Sequence, residues 1–453
     1  MDKRTFIKTT SLAAGAAITS RWFSGCKFPD QPIAQKEQLT NWAGNINYTS
    51  TNVFHPTSVE EVQSIVKRCE KLKALGSKHA FNRIADSSYN LISMREMNHL
   101  IGIDKSSSTV TVEAGMKYGE LAPILQENQF ALANLASLPH ITVAGACSTA
   151  THGSGMKNGN LSTAVSAIEF VDASGNLVNL SRKNNEDIFD GVVVNLGALG
   201  VLTSLTLDLV PAFNMEQTVY RNLPMRELAN HFNDIQKEGY SVSLFTDWKN
   251  QNINEVWIKK MSNDGTSPKP DLFGAKAADK NLHPVEVQSA ENVTDQLGIP
   301  GPWYERLPHF KMGFKPSTGK ELQSEFFIPI EHAYDAIMAI ESIQEKISPH
   351  LYISEIRTIA ADSLWMSPCY KQTCVALHTT WKQEIETVMG LLPLFEEKLA
   401  PFNPRPHWAK LFTLSPSVLQ SRYEKLKDFK ELAARYDPKG KFRNEFLTHN
   451  LYS

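Results

Sequence analysis

Two segments in the second half of the chain carry polar side chains at alternate positions. Glu355 and Arg357 lie two residues apart in the apolar run 351–359. His378 and Thr380 have the same spacing in the run 375–381. Side chains of a strand alternate between its two faces, so each pair shares one face. If the two strands are neighbours, the four groups form one polar patch.

From spacing alone, an exposed ion pair on a sheet surface is the favoured interpretation, and it contributes at most about 1 kcal/mol. The mostly apolar neighbours of Glu355 favour burial instead, and a buried carboxylate needs a cation or a ligand hydroxyl. His378 suits proton removal from an alcohol, since the unperturbed histidine pKa is about 6.5. Lys410 is either a third polar group of this site or a solvated surface lysine.

Three glycine-rich stretches of the first half, at 76–79, 142–146 and 149–155, could hold an anion. Small residues let backbone N–H groups approach a phosphate closely, although such loops are more often simple turns. His79 and His152 lie in these stretches and, without context, are hydrogen-bonded structural histidines. The chain lacks GxGxxG before a helix, GxxxxGK[ST], GxSxG and HExxH, so a Rossmann fold, a P-loop, a nucleophile elbow and a zinc hydrolase are disfavoured. No metal site is predicted.

Composition narrows the class further. The chain has 453 residues, a formal net charge of −2 and no long block of like charge, which argues against nucleic-acid binding and polybasic membrane binding. Five cysteines are too few for a disulfide scaffold, although Cys369 and Cys374 are close enough in sequence to pair in an oxidising compartment.

The N-terminus resembles a twin-arginine-like signal peptide over residues 1–26. Lys3, Arg4 and Lys8 precede a short apolar run at 12–18 that is too short to span a bilayer. Ser24-Gly25-Cys26 resembles a lipoprotein cleavage box, so the sequence predicts export to the periplasm or cell envelope and leaves lipidation of Cys26 open. The alternative is a disordered tail. Residues 27–40 read as a polar spacer.

The elements that position these groups follow from periodicity and capping residues. Ser58 and Glu61 form a capping box before a helix, and residues 262–302 form an irregular excursion. The remaining predicted elements are strands at 72–75, 109–113, 168–171, 177–180, 201–209, 351–359 and 375–381, and helices at 118–126, 333–347 and 417–436.

The chain as a whole resembles the alditol oxidases, flavoenzymes of the vanillyl-alcohol-oxidase (PCMH-type) superfamily related to the aldonolactone oxidases. The similarity runs from residues 41–45 to 444–446. Its most specific stretches are 75–82, 136–140, 240–248, 355–358 and 405–408.

The resemblance implies an α+β fold with a two-part PCMH-type FAD-binding domain under an α/β cap. The FAD-binding domain would comprise residues 41–211 and a returning C-terminal segment, 416–453. The cap would comprise residues 212–415 and cover the flavin ring.

The resemblance also implies FAD as the cofactor, attached covalently through His79. Lys78 and Ala80 stand where the relatives have Gly and Ser, which leaves the loop geometry open. The implied cofactor-binding residues are Gly76, Ser77, Lys78, His79, Ala80, Ser137, Thr142, Gly145, Thr149, Ala150, Thr151, His152, Val201 and His407.

For catalysis, the resemblance implies oxidation of the C1 hydroxyl of an alditol such as xylitol or sorbitol, with oxygen reduced to hydrogen peroxide. The implied substrate-site and catalytic residues are Ser137, Glu355, Arg357, His378, Thr380 and Lys410. A monomer is expected. The alternatives are an aldono-1,4-lactone oxidase or dehydrogenase, a dehydrogenase that uses another electron carrier, and a non-catalytic flavin- or carbohydrate-binding lipoprotein.

Overall fold

The computed structural model describes residues 32–262, 265, 269–312 and 320–453. The predicted signal segment, Cys26 and the first part of the spacer lie outside these residues. Within the described part of the chain, no helix is long and apolar enough to cross a membrane.

The first half of the chain forms two small sheets. The first sheet is mixed, in the order β1-β2-β4-β3, with strands β1 (Gln35–Lys36), β2 (Asn52–Phe54), β3 (Lys73–Leu75) and β4 (Leu91–Ser93). The second is antiparallel, in the order β5-β6-β10-β8-β9, with strands β5 (Leu100–Asp104), β6 (Thr109–Glu113), β8 (Val165–Val171), β9 (Leu177–Ser181) and β10 (Val201–Asp208). A separate pair joins β7 (Phe130–Ala131) to β11 (Val210–Pro211). These strands confirm the five predicted in this half.

Four helices accompany these sheets: α1 (Val59–Arg68), α2 (Tyr118–Glu127), α3 (Val143–Ser148) and α4 (Glu186–Val193). The capping box before α1 is only half formed. The Ser58 hydroxyl accepts the Glu61 backbone N–H at 3.3 Å, but the Glu61 carboxylate accepts from the backbone N–H and hydroxyl of Thr57 instead of returning to Ser58. The helix therefore starts where predicted, but the Glu61 carboxylate binds Thr57 and not the Ser58 backbone N–H.

One large antiparallel sheet dominates the second half. It runs in the order β15-β16-β12-β14-β13-β19-β20-β18-β21, and β17 pairs with β12. Its strands are β12 (Asn214–Pro224), β13 (Ser241–Thr246), β14 (Asn252–Met261), β15 (Asp271–Leu272), β16 (Ala275–Ala277), β17 (Gly301–Pro302), β18 (Glu321–Pro329), β19 (Leu351–Ile359), β20 (Cys374–Lys382) and β21 (Arg405–Pro406). The predicted strands at 351–359 and 375–381 are confirmed.

The helices that follow are shorter than predicted. They are α5 (Leu228–Gln236), α6 (Ala333–Glu341), α7 (Gln344–Ile347), α8 (Ile385–Leu399), α9 (Pro416–Ser421), α10 (Leu426–Tyr436) and α11 (Glu445–Leu447). The single helices expected at 333–347 and 417–436 are each broken in two. At each break a serine hydroxyl, Ser342 or Ser421, donates to a carbonyl three residues earlier. Such bonds compete with the helical pattern.

The C-terminal segment packs with the first half of the chain. Phe429, Leu447 and Leu451 are fully buried in the same hydrophobic cluster as residues of α1, β6 and β10. Lys73, also buried, donates hydrogen bonds to the carbonyls of Leu196, Gly197 and Phe442 at 3.0, 2.9 and 3.3 Å. A separate cluster holds the apolar side chains of the large sheet together with those of α6 and α8. The exact boundaries at 211/212 and 415/416 stay predictions.

The suggested pairing of Cys369 with Cys374 does not occur. Both residues are buried free thiols, and Cys374 Sγ lies 3.7 Å from the Pro368 carbonyl oxygen, within range of a weak hydrogen bond.

Candidate active site

A cavity lies between the glycine-rich loops of the first half and one face of the large sheet. Most of the sequence-predicted residues line it. On the loop side these are Gly76, Ser77, Lys78, His79, Ala80, Thr142, Gly145, Thr149, Thr151 and His152. Ser137 lines it from another loop of the first half, and on the sheet side the residues are Glu355, Arg357, His378, Thr380, His407 and Lys410.

Two predicted cofactor residues do not line the cavity. Val201 is buried in the hydrophobic core, and its chain neighbours Gly200 and Leu202 line the cavity instead. Ala150 is buried beneath the loop with a φ of +54°, a left-handed conformation that turns the chain between Thr149 and Thr151.

The glycine-rich loops fit a dinucleotide that approaches the backbone. A Cβ at Gly76 would lie 2.4 Å from the Thr142 hydroxyl oxygen, so only glycine fits there. The Thr142 hydroxyl is buried and takes no hydrogen bond from the described residues. A buried hydroxyl without a partner is costly, and a phosphate oxygen would satisfy it. These features suit the pyrophosphate of FAD.

Lys78, where the resemblance implies a glycine, has a backbone conformation that favours glycine. Its φ is +62°, in the left-handed region that favours glycine. This conformation costs a non-glycine residue about 1 kcal/mol. The Lys78 carbonyl accepts a hydrogen bond from the Trp42 backbone N–H at 2.8 Å, which helps to hold the turn.

His79, the next residue, is mostly buried and stacks on Trp42, with the ring centroids 4.9 Å apart. Burial, together with the nearby His140 and Lys410, lowers the pKa of His79 to about 3. The imidazole is therefore neutral at physiological pH and has a free lone pair on one nitrogen.

The polar patch predicted on the two strands is present. Strands β19 and β20 pair so that Glu355 lies opposite His378, and Ile353 lies opposite Thr380. The side chain of Arg357 reaches across to the loop of Ser137, where its Nη1 donates to the hydroxyl at 3.3 Å. The exposed-pair interpretation is wrong, because Glu355 and Arg357 are only 5% exposed.

A carboxylate that the sequence did not single out lies at the centre of this patch. Glu325 of β18 is 1% exposed and accepts a 2.6 Å bond from Arg357 Nη2. Its oxygens also lie 3.1 Å from His152 Nε2 and 3.4 Å from Lys410 Nζ. Burial alone would raise the pKa of Glu325, but these cationic neighbours outweigh it and hold the pKa well below its usual range.

The other carboxylate of the patch, Glu355, is ionised for the same reason. Burial alone would raise its pKa, but Arg357 and His309 lower it well below the usual range. Lys410 is held by Gln323 Oε1 at 2.6 Å and by Glu325. The carboxylates of Glu325 and Glu355 thus lie beside the cationic groups of Arg357 and Lys410 in the cavity.

His378 differs from its neighbours in lacking a partner. Both ring nitrogens are buried, and neither has a hydrogen bond from the described residues. Burial, together with the charge of Lys410, lowers the pKa of His378 to about 3. The ring is neutral, and its nitrogens are available to a ligand.

Sequence reasoning missed Glu325, Gln323, His309 and Lys259. Glu325 and Gln323 lie two residues apart on one face of β18. A search of residues 321–329 for polar side chains at alternate positions would have found them. His309 lies beyond the irregular excursion, where no periodicity points to it, and it contacts Glu355 at 2.7 Å.

Replacing Glu325 with Gln should lower the free energy of unfolding at pH 7 by about 3–5 kcal/mol, because Arg357 and Lys410 would stay charged without it. The contribution of Glu325 is fully present above its unfolded-state pKa of about 4.3 and is lost as the pH falls toward the lower folded-state pKa. The difference in the free energy of unfolding between wild type and variant should therefore become smaller below about pH 4. Urea unfolding followed by circular dichroism at several pH values measures this.

The control for this experiment is Glu424→Gln. Glu424 is exposed and pairs only with exposed Lys371 at 2.9 Å, so its loss should cost less than about 0.5 kcal/mol. Equal destabilisation by the two variants would contradict the central role of Glu325.

Comparison with known proteins agrees with this geometry. Residues 51–181 match the family model of the FAD binding domain, and residues 315–450 match that of D-arabinono-1,4-lactone oxidase. The L-gulonolactone oxidase of Mus musculus is 26% identical over 92% of this chain and 98% of its own. The crystal structure of cholesterol oxidase from B. sterolicum shares the fold, with a TM-score of 0.75 at 16% identity over 94% of this chain and 98% of its own.

A further relative is much more similar in sequence. The alditol oxidase of Streptomyces sp. is 44% identical over 412 residues, which cover 90% of this chain and 98% of that enzyme. The α+β fold with an FAD-binding domain and a cap is confirmed. Identity at this level along almost the whole relative shows that the chain belongs to the alditol oxidase family of vanillyl-alcohol-oxidase-type flavoenzymes.

Proposed function

We propose that the protein is an FAD-dependent alditol oxidase that converts the C1 alcohol of a polyol to the aldose. The observation that carries the proposal is the polar patch of Glu355, Arg357, His378 and Lys410, which faces the cavity on the side opposite the glycine-rich loops. Overall, an alditol and O2 give an aldose and H2O2. The identity to the Streptomyces alditol oxidase supports this substrate class over a lactone.

In this proposal, FAD supplies the hydride acceptor and the protein positions the alcohol. His378 accepts the hydroxyl proton, because its ring nitrogens have no hydrogen bond among the described residues and one nitrogen of the neutral ring is an acceptor. Lys410 suits the role of base less well, since its ammonium is held by Gln323 and Glu325 and has donors but no acceptor.

The inner hydroxyls of the polyol bind the charged groups. Glu355 accepts from them and Arg357 donates to them, while Thr380 and Ser137 add hydrogen bonds from opposite sides of the cavity. Such a site rejects substrates that lack a hydroxyl, because buried polar groups would be left without partners.

The first test is anaerobic addition of xylitol to the purified protein, followed by the flavin absorbance near 450 nm, a typical flavin value. We expect bleaching that is reversed by air, with hydrogen peroxide formed. Flavin that stays oxidised with xylitol and sorbitol but is reduced by an aldono-1,4-lactone would favour the lactone enzyme instead. Bleaching that air does not reverse would favour an electron carrier other than oxygen.

The His378→Ala variant tests the proposed base. Its rate of flavin reduction should fall by about 10²–10⁴, the usual contribution of general base catalysis. Stopped-flow reduction by xylitol measures this rate. His449→Ala, at an exposed position, is the matched control and should keep the full rate. Full turnover by His378→Ala would disprove the assignment.

Covalent attachment through His79 is also part of the proposal, supported by the neutral ring beside the glycine-rich loop. Flavin fluorescence should stay with the polypeptide after denaturation in SDS. In His79→Ala it should dissociate or be absent, whereas His140→Ala, at the nearby ring, should retain it. Flavin that remains bound to denatured His79→Ala would place the attachment elsewhere.

Export rests on the N-terminal sequence alone. In this proposal, residues 1–26 direct the protein to the periplasm or cell envelope, with Cys26 as a candidate lipid anchor. A monomeric state is likewise part of the proposal.

A further inference from the structure

Lys259 is a fully buried lysine behind the polar patch. Its Nζ lies 2.6 Å from the Leu307 carbonyl oxygen, 3.0 Å from the Pro308 carbonyl oxygen and 3.1 Å from His309 Nδ1. An ammonium has three N–H donors and no acceptor, and these contacts use all three. No carboxylate of the described residues forms a salt bridge with Lys259.

This arrangement decides where His309 carries its proton. Because the ammonium can only donate, His309 Nδ1 accepts, and the ring proton is on Nε2. Nε2 lies 2.7 Å from Glu355 Oε1, so it donates to that oxygen. Arg357 Nε also lies 3.5 Å from the same oxygen. Oε2 of Glu355 is therefore left to accept from a ligand.

The opposite proton arrangement is disfavoured. A neutral Lys259 amine would accept from Nδ1–H, and Nε2 would then need a proton from Glu355. That would require a neutral Glu355 carboxyl, whereas Arg357 and His309 hold its pKa well below the usual range. Burial lowers the pKa of Lys259, but its three acceptors favour the ammonium over the amine.

The ring of His309 is held in place by other contacts. Its backbone N–H donates to the Ser137 carbonyl at 3.1 Å, across from the large sheet to the loop of the first half. Its ring packs edge-on against Phe245 and Trp257, with centroid distances of 5.5 and 5.2 Å. His309 therefore contacts the loop of Ser137 and three strands of the large sheet, β13, β14 and β19.

We propose that Lys259 and His309 are positioning residues, which fix the Nε2–H tautomer and so orient the Glu355 carboxylate to accept from the polyol. The consequence for substrate binding rests on the proposed alditol oxidation. The tautomer itself does not, because it follows from the three contacts of the ammonium.

The direct test is ¹⁵N NMR of the FAD-loaded protein labelled at histidine. The His309 signals are assigned by their loss in His309→Gln. In wild type we expect the Nε2–H tautomer. In Lys259→Met, Nδ1 loses its donor, and we expect the ring to take up a second proton at a higher pH than in wild type, because Lys259 lowers the pKa of His309. Lys276→Met, at an exposed lysine paired with Asp271, should leave the signals unchanged. The Nδ1–H tautomer in wild type would overturn the proposal.

Kinetics give the second readout. In Lys259→Met the KM for xylitol should rise roughly tenfold or more, the usual effect of losing a hydrogen bond to a charged group. The limiting rate of flavin reduction should change less, and the flavin spectrum should not change. An unchanged KM in a Lys259→Met protein that holds its flavin would overturn the proposal.

A second pair of variants covers the case in which Lys259→Met does not fold. His309→Gln keeps a donor toward Glu355, and His309→Leu removes it. His309→Gln should bind xylitol more tightly than His309→Leu, and equal KM values would overturn the proposal. If no polyol reduces the flavin of the wild-type protein, the proposed function fails, and the NMR result still decides the tautomer.

Discussion

Burial of opposite charges in one cavity is the constraint on which the rest of the site depends. Glu325, Glu355, Arg357 and Lys410 are removed from water together, and each would be unstable there alone. Their mutual pairing keeps both carboxylates ionised and both cations charged. His378 lies among them without a hydrogen bond to any described residue, and burial with the charge of Lys410 keeps its ring neutral. In the proposed reaction, the pairing of its neighbours thus leaves this ring available to accept the proton.

Strand register brings these charges together. Glu355 faces His378 across β19 and β20, and Glu325 faces His378 from β18 on the other side. A slip of one residue in any of these strands would move its polar side chains to the opposite face, among the apolar residues that pack on α6 and α8. The polar patch and the apolar core of the large sheet therefore require the same register of β18, β19 and β20.

The sequence was enough to predict the strands of the site, but most of the residues that contact its charged side chains were missed. Alternation and apolar content were enough for β19 and β20, and the shared face of Glu355 and Arg357 followed from period 2 alone. Glu325 was missed although it lies on a similar strand, because its importance depends on three residues distant in sequence. His309 could not be predicted from the sequence, since a residue in an irregular segment is positioned by tertiary contacts that have no local pattern. The broken helices at Ser342 and Ser421 have a similar origin, in side-chain hydrogen bonds that propensity does not capture.

The return of the C-terminal segment to the first half affects how the chain is assembled. Phe429, Leu447 and Leu451 complete a hydrophobic core most of whose members belong to the first half of the chain. During synthesis, that core and the Lys73 contact to the Phe442 carbonyl remain open until residues 429–451 have left the ribosome. Contacts so distant in sequence close slowly, since a long loop must be ordered first. A chain truncated before residue 416 lacks part of this core, so the lobe that carries the glycine-rich loops is completed only after this later segment has been synthesised.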